Sequence, residues 1–99
     1  MELIKGATTT FTGSPMGMTK ASSVQAVVSG TGAVSSTIIV EVSNETVPTN
    51  YITLGTISLS GTTTATDGFA FTAKWDYIRA RITAIAGTSA TVTVSLGGG

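Results

Sequence analysis

The sequence predicts an all-β domain, and three runs of alternating apolar and polar residues are the main evidence. They lie at residues 40–44, 52–56 and 77–82. Side chains along a strand point alternately to opposite faces, so each run can bury one face and expose the other. Turn residues recur about every 8–12 positions, and no stretch shows helical periodicity. We therefore predict a single antiparallel β-sandwich or jelly-roll of about seven to eight strands.

Length and composition narrow the class of protein. The chain has 99 residues, enough for one domain, with no His, no Cys and a formal net charge of zero. A disulfide framework and a thiolate metal site are therefore excluded. The neutral charge argues against nucleic acid or an anionic membrane surface as a partner. The first residues lack a basic segment followed by a long apolar one, so we expect no signal peptide. The glycines are scattered and none precedes a helix, so we also expect no cofactor.

The first twenty residues are weakly patterned. Only residues 8–11 indicate a short strand, and residues 13–18 have the Gly and Pro content of a loop. We therefore expect residues 1–20 to form an N-terminal arm or loop segment that contacts neighbouring chains, and residues 21–99 to form the β-sandwich domain.

Alternation along the rest of the chain predicts five strands. They cover residues 24–29, 36–43, 51–60, 75–84 and 90–96, and a further short strand opens at Phe69. Turn or loop residues separate them at positions 30–32, 44–50, 61–68 and 87–89. The side chains predicted to face inward are Val24, Ala26, Val28, Ile38, Val40, Val42, Ile78, Ala80, Ile82, Ala84, Val92, Val94 and Leu96. Glu41 and Ser43 are predicted to face outward.

The strand at residues 51–60 changes parity part-way along. Ile52 and Leu54 occupy even positions, whereas Ile57 and Leu59 occupy odd ones. A strand cannot switch its buried face without an extra residue, so we predict a β-bulge or bend near Gly55.

Catalysis and metal binding have little support in the sequence. General acid–base chemistry usually relies on His or on paired carboxylates, but His is absent and the five acidic residues show no pairing. Asp67 before Gly68 is a single carboxylate, which is typical of a turn rather than of a calcium loop. We therefore predict that the protein is not an enzyme and binds no metal.

One strand face stands out as a candidate interaction site. Parity places Trp75, Tyr77, Arg79 and Arg81 on one side, and aromatic residues and Arg are enriched at interface hot spots. This face could bind a protein, with the guanidinium groups pairing to a neighbour's carboxylates, or could stack on a sugar ring. Alternatively the contacts are intramolecular, with Trp75 capping the core and an Arg pairing with Glu41.

Two methionines add a second candidate contact. Met16 and Met18 flank Gly17 in the N-terminal segment. Methionine adapts to irregular partner surfaces, so these side chains are also candidate interface residues. A loop folded over the edge of the core is the alternative.

A set of short motifs gives the chain a recognisable resemblance. The motifs are VEVSN at 40–44, YITLGTI at 51–57, WDYIRARI at 75–82 and ATVTV at 90–94. In this order they resemble small virion proteins of tailed bacteriophages, over about residues 36–96. The same core pattern appears in larger sugar-binding sandwiches of the discoidin type, which carry binding loops that this chain lacks. Residues 44–50, with Pro48, depart from the short Asp-Gly turn often seen there.

The resemblance implies a structural role. A protein of this kind decorates or cements the capsid shell by binding the assembled lattice across its capsomers. The implied partner is the major capsid protein, and the implied location is the capsid exterior after synthesis in the host cytoplasm. A homo-oligomer, either trimer or dimer, is also implied. The alternatives are a carbohydrate-binding module on the virion and a head–tail or tail component.

Overall fold

The computed structural model describes residues 2–17, 23–45, 49–71 and 75–97, and these residues form one antiparallel sheet. Three strands are short and three are long. They are β1 (Glu2–Ala7), β2 (Phe11–Thr12), β3 (Met16–Gly17), β4 (Ser23–Ser43), β5 (Ile52–Ala70) and β6 (Tyr77–Gly97). None of the described residues is helical, so the all-β prediction is confirmed. It follows that this part of the chain has no helix able to cross a membrane.

The strand order places β4 at the centre of the sheet. The order is β1-β6-β4-β5, and β2 and β3 pair with β6 beyond the end of β1. β1 lies along the second half of β6, where Glu2 pairs with Ser95. β2 and β3 lie along its first half, where Phe11 pairs with Ile82. In the part of the chain that is described, the outer edge of β5 pairs with no strand, so the sheet is open.

The three long strands are sharply bent. A straight strand of 21 residues would extend about 69 Å at about 3.3 Å per residue, yet the longest dimension of the molecule is 41 Å. Each strand has a residue with positive φ at the same level of the sheet, namely Gly32 (76°), Thr63 (66°) and Ser89 (55°). The pairing of β4 with both neighbours is also irregular between Ser29 and Ser35. These positions define the bend line of the sheet.

Beyond the bend line, β5 folds back on itself. A Cβ built on Gly55 would lie 2.7 Å from Cζ of the Phe69 ring, although both residues belong to this one strand. Phe69 in turn lies against Phe71, with ring centroids 6.3 Å apart. The inner faces of the two halves of β5 therefore meet.

The core takes side chains from both halves of the long strands. Ile38, Val40, Val92 and Val94 are fully buried, although each lies on one face of a single sheet. A flat sheet would leave such a face in contact with water, so burial here depends on the bend. The predicted inward positions on β4, and those on β6 apart from Ala84, are confirmed as buried.

Two register irregularities decide which residues face the core. Val40 pairs with Gly55 but Glu41 pairs with Thr53, so Leu54 is an extra residue in β5 and the predicted bulge is confirmed. A second shift was not predicted: Thr37 pairs with Ala84, whereas Ile38 pairs with Ile82. The extra residue in β6 breaks the alternation there, and Ala84 is consequently exposed.

The prediction that turns or loops separate the strands at 30–32, 61–68 and 87–89 is wrong. All three ranges lie inside strands β4, β5 and β6. Glycine and positive φ at these positions produce a bend in each strand rather than a reversal of the chain, and pairing resumes on both sides. Each long strand therefore takes up segments that were predicted as separate strands, and a sandwich of seven to eight strands is not confirmed.

The N-terminal segment is the edge of the sheet. β1 was not predicted, and the strand expected at residues 8–11 is replaced by β2 at Phe11–Thr12. Leu3 and Ile4 are buried in the core, and Gly13 N donates a hydrogen bond to Ala80 O at 2.9 Å. Contact of this segment with neighbouring chains stays a prediction.

We predict that Gly30→Ala destabilises the fold by about 1–3 kcal/mol, because the added methyl overpacks the bend. A Cβ on Gly30 would lie 2.8 Å from Thr88 O and 3.1 Å from Ala90 Cα, both of them backbone atoms. Urea unfolding of the variant measures the change. The control is Gly17→Ala, because a Cβ on Gly17 would meet no atom of the described residues within 4 Å. Equal stability of the two variants would contradict the close packing at the bend line.

Candidate interaction surface on the outer face of the sheet

The candidate surface lies on the outer face of the first half of β6. Ile78, Ala80 and Ile82 are buried, so the alternate residues Tyr77, Arg79 and Arg81 lie on the opposite face, as predicted. All three are partly exposed.

Glu41 lies at the centre of this face. Its strand β4 runs between β5 and β6, and Glu41 pairs in register with Thr53 on one side and Arg79 on the other. Arg79 Nε donates to Glu41 Oε1 at 2.9 Å, and Arg81 Nη2 donates to Glu41 Oε2 at 3.4 Å. The intramolecular pairing of Arg with Glu41 is therefore confirmed.

The outward residues of β4 are more buried than their parity predicts. Glu41 is 8% exposed and Ser43 is 3% exposed. Two guanidinium groups lie against the Glu41 carboxylate, and Ser43 Oγ accepts a hydrogen bond from Glu45 N at 3.2 Å. Alternation gives the direction of a side chain but not the cover that neighbouring long side chains provide.

Arg79 is held from two sides. Its Cζ lies 3.6 Å from the centroid of the Tyr51 ring, while its Nε is bonded to Glu41. Stacking on an aromatic face adds to the ion pair and fixes the plane of the guanidinium. Sequence analysis did not identify Tyr51 as part of this face. Its position two residues before Thr53, the partner of Glu41, was the available signal.

Arg81 is more accessible than Arg79. Its side chain is 37% exposed, against 24% for Arg79, and its contact with Glu41 is the longer of the two. Two guanidinium groups share one carboxylate, so this cluster carries one positive charge that Glu41 does not balance. The remaining donors of Arg81 can therefore bind an anionic group of a partner, and a carboxylate would fit in the bidentate geometry typical of Arg.

Trp75 precedes the first residue of β6 and lines a cavity at this end of the sheet, so its predicted place on one strand face with Tyr77, Arg79 and Arg81 is not confirmed. It is partly buried against the core, as the intramolecular alternative predicted. The cavity is about 410 Å³, and Tyr51, Ile52, Asn44 and Asn50 are among its other lining residues. Within the described part of the chain, the buried Trp75 Nε1 has no hydrogen-bond partner.

Hydrogen bonds from Thr49 and Asn50 to the Glu45 carboxylate join the two described ends of the segment beside the cavity. Glu45 Oε1 accepts hydrogen bonds from Asn50 N at 2.6 Å and Thr49 N at 2.8 Å, and its Oε2 accepts one from Asn50 Nδ2 at 3.0 Å. These donors, above all those of Asn50, lower the pKa of Glu45 from 4.5 to about 2. The carboxylate is therefore ionised at neutral pH, and its main bonds hold this segment.

The predicted methionine contact is only partly described. The backbone of Met16 pairs with Ile78, and Met18 lies outside the described residues. Two exposed apolar side chains were missed by the sequence analysis, namely Phe11 (50% exposed) and Ile52 (58% exposed). Ile52 pairs with the inward-facing Val42, so the bulge at Leu54 brings it to the core face, but as the first residue of β5 it lies at the end of the sheet and remains exposed.

The ionisable groups give no sign of a metal site. Among the residues that the structure describes, no three acidic side chains lie close enough to hold an ion.

Comparison with known proteins adds no identification. No family model matches the chain, and no curated protein or solved structure is significantly similar to it.

We predict that the Glu41–Arg79 pair contributes about 1–2 kcal/mol to folding, because it combines a charge-assisted hydrogen bond with partial burial. A double-mutant cycle with Glu41→Ala and Arg79→Ala, read by urea unfolding, measures this coupling. The matched cycle with Arg81→Ala should give a smaller value, near that of a surface pair. A larger coupling for Arg81 than for Arg79 would contradict the geometry.

The hydrogen bonds of Glu45 predict a specific pH dependence of stability. Its pKa in the folded chain is about 2, below the ordinary value of 4.5. The stabilising contribution is therefore complete above pH 4.5 and is lost as the pH falls toward 2. Between pH 4.5 and pH 2, the unfolding temperature should fall more steeply with pH for the native chain than for Glu45→Gln. Glu2→Gln, which removes an exposed carboxylate of β1, is the control and should keep the native slope.

Proposed function

We propose that this protein is a structural component of a tailed-phage virion that decorates the capsid and stabilises contacts between capsomers. The observation that carries the proposal is the Arg81 guanidinium, which is partly exposed beside a rigid Arg79–Glu41 pair and has donors available to a partner. A carboxylate on the major capsid protein would complete this site. The resemblance of residues 36–96 to small virion proteins supports the same role.

The mechanism would be mechanical rather than enzymatic. A protein that binds only the assembled lattice stabilises that lattice by mass action, because disassembly requires its release. The Arg79–Glu41–Tyr51 arrangement supports this role, since it holds the Glu41 carboxylate that binds Arg81 Nη2, and a contact residue positioned in advance loses less entropy on binding. The proposed location is the exterior of the shell.

The bent sheet supports a two-layer, sandwich-like architecture for this role. Each long strand would contribute one segment to each layer, and the contact of Gly55 with the Phe69 ring joins the layers on β5. Such a compact unit can occupy a capsomer boundary and leave its outer face available for contact.

A carbohydrate-binding module is the second candidate function. The cavity of about 410 Å³ beside Trp75 favours it, because aromatic side chains and the amides of Asn44 and Asn50 border the same space. Aromatic rings stack on sugars and amides hydrogen-bond to their hydroxyls. In this function the critical residue would be Trp75 rather than Arg81.

We predict that the purified chain co-sediments saturably with expanded capsids that lack it, and raises the temperature at which those shells disrupt. Arg81→Ala should weaken binding at least about tenfold, the loss expected for a charge-assisted contact, while leaving the fold intact. Lys5→Ala removes a positive charge from the exposed surface of β1 and is the matched control. Shells that bind neither the native chain nor the control would refute decoration, and sugar binding abolished by Trp75→Ala would favour the second function.

A further inference from the structure

The outer edge of β5 is long, and within the described residues its protecting features are confined to the bulge at Leu54, the bend at Thr63 and the charge of Asp67. β5 runs from Ile52 to Ala70 at one end of the strand order, and no described strand pairs with its outer side. Natural edges are usually blocked by Lys, by Pro or by a very short strand. β5 contains no Lys, Arg or Pro over 19 residues. The backbone N–H and C=O groups that point outward from β5 can therefore hydrogen-bond to a further β-strand placed along this edge.

The straight part of this edge is bounded on both sides. The bulge at Leu54 interrupts it at one end, and the positive φ of Thr63 turns the strand at the other. Between them, the residues from Gly55 to Gly61 pair with β4 without irregularity. The other regular segment of β5, Thr64 to Ala70, carries the charged Asp67, and a charge on an edge strand works against pairing with a second strand.

This segment has nearly the same sequence in both directions. It reads Gly-Thr-Ile-Ser-Leu-Ser-Gly from residue 55 to residue 61, so residue classes repeat symmetrically about Ser58. Antiparallel strands run in opposite directions, and two copies related by a two-fold axis at Ser58 therefore place like residues opposite each other. Gly55 would face the partner's Gly61, and Ile57 would face the partner's Leu59.

The side chains are compatible with this pairing. Ile57 and Leu59 are buried on the inner face, so paired copies would continue the apolar layer across the interface. Thr56, Ser58 and Ser60 are exposed on the outer face and would form rows of hydroxyl groups. The segment carries no charge, so self-pairing brings no like charges together.

We propose that the protein forms a homodimer in which β5 pairs antiparallel with β5 of a second copy, with Ser58 on the two-fold axis. The self-complementary segment makes a second copy the occupant of the edge, in preference to an unrelated strand. The contact is isologous and closes on itself, so it covers both β5 edges without propagating into a fibre. The dimer does not depend on the proposed capsid role.

Introducing a charge at the two-fold axis tests the proposal. Because Ser58 would face itself, Ser58→Glu and Ser58→Lys each place two like charges directly opposite one another. Sedimentation equilibrium of the full chain should show each variant dissociating about fivefold or more readily than the native dimer. An equimolar mixture of the two variants should recover association, because the opposed charges then attract.

The control for this test is Ser60→Glu, which adds the same charge to the same exposed face. Residue 60 would face the partner's Thr56, and the two introduced carboxylates would lie about 13 Å apart. That separation exceeds the Debye length of about 8 Å at physiological salt, so the dimer should persist. Loss of the dimer in this control to the same extent as in Ser58→Glu would overturn the proposed register.

Cross-linking gives an independent measure of the same register. The chain has no Cys, so a single introduced thiol reports one position. Ser58→Cys should form covalent dimers under mild oxidation, because opposed residues in an antiparallel pair have Cα atoms about 4.5–5.5 Å apart. Ser60→Cys should not, because its two copies would be too distant.

Two results would overturn the proposal. One is a native chain that remains monomeric up to about 1 mM, and the other is equal cross-linking at positions 58 and 60. A monomer that still binds capsid shells would reject the dimer alone, whereas a dimer that ignores shells would reject the capsid role alone.

Discussion

The coincident bend of β4, β5 and β6 is the constraint on which the rest of the structure depends. Three strands that remain paired through a bend must all change direction at one level, and Gly32, Thr63 and Ser89 adopt positive φ there. Positive φ is uncommon for a β-branched residue, so Thr63 is held by its paired neighbours rather than by its own preference. The bend brings the two inner faces together and makes a core from one sheet.

The outer face follows from the same arrangement. Because the inward positions of β4 and β6 form the core, the opposite parity of these strands carries Glu41, Arg79 and Arg81 in neighbouring registers. Their separation in sequence is large, but antiparallel pairing places them side by side. A nearly buried carboxylate then requires close cationic partners, since its desolvation would otherwise be costly. Arg79 is more firmly held than Arg81 because it is the register partner of Glu41 and stacks on Tyr51, whereas Arg81 pairs with Ile39.

The sequence predicted the local features of the fold well. Every position that alternation assigned inward on β4 is buried, as is every such position on β6 apart from Ala84, and the parity change located the bulge beside Gly55. It also placed Tyr77, Arg79 and Arg81 on one face and paired an Arg with Glu41. These features depend on residues close together in one strand, or on a charge that needs a partner, so they are visible without the fold.

Other features depended on information that alternation does not contain. A glycine pair can reverse a chain or bend a strand, and only the pairing of neighbouring strands decides which occurs at residues 30–32. The same limit applies to Ala84, whose exposure follows from a register shift in β6. The stacking of Tyr51 on Arg79 and the docking of β1 on β6 depend on contacts between distant segments. The N-terminal segment therefore gave almost no local signal, although Leu3 and Ile4 are in the core.

The docking of β1 has a consequence for how the chain folds. Glu2 pairs with Ser95, and Ser23 pairs with Gly97, so the first strand and the central strand both depend on the last one. The chain between each of these pairs must close into a long loop before the contact can form. Chains dominated by contacts between residues far apart in sequence fold in milliseconds to seconds rather than microseconds. During synthesis, β1 has no partner until the end of β6 has left the ribosome. The native sheet is therefore completed only after the whole of β6 is available for pairing, and until then the apolar side chains of β4 remain without their cover.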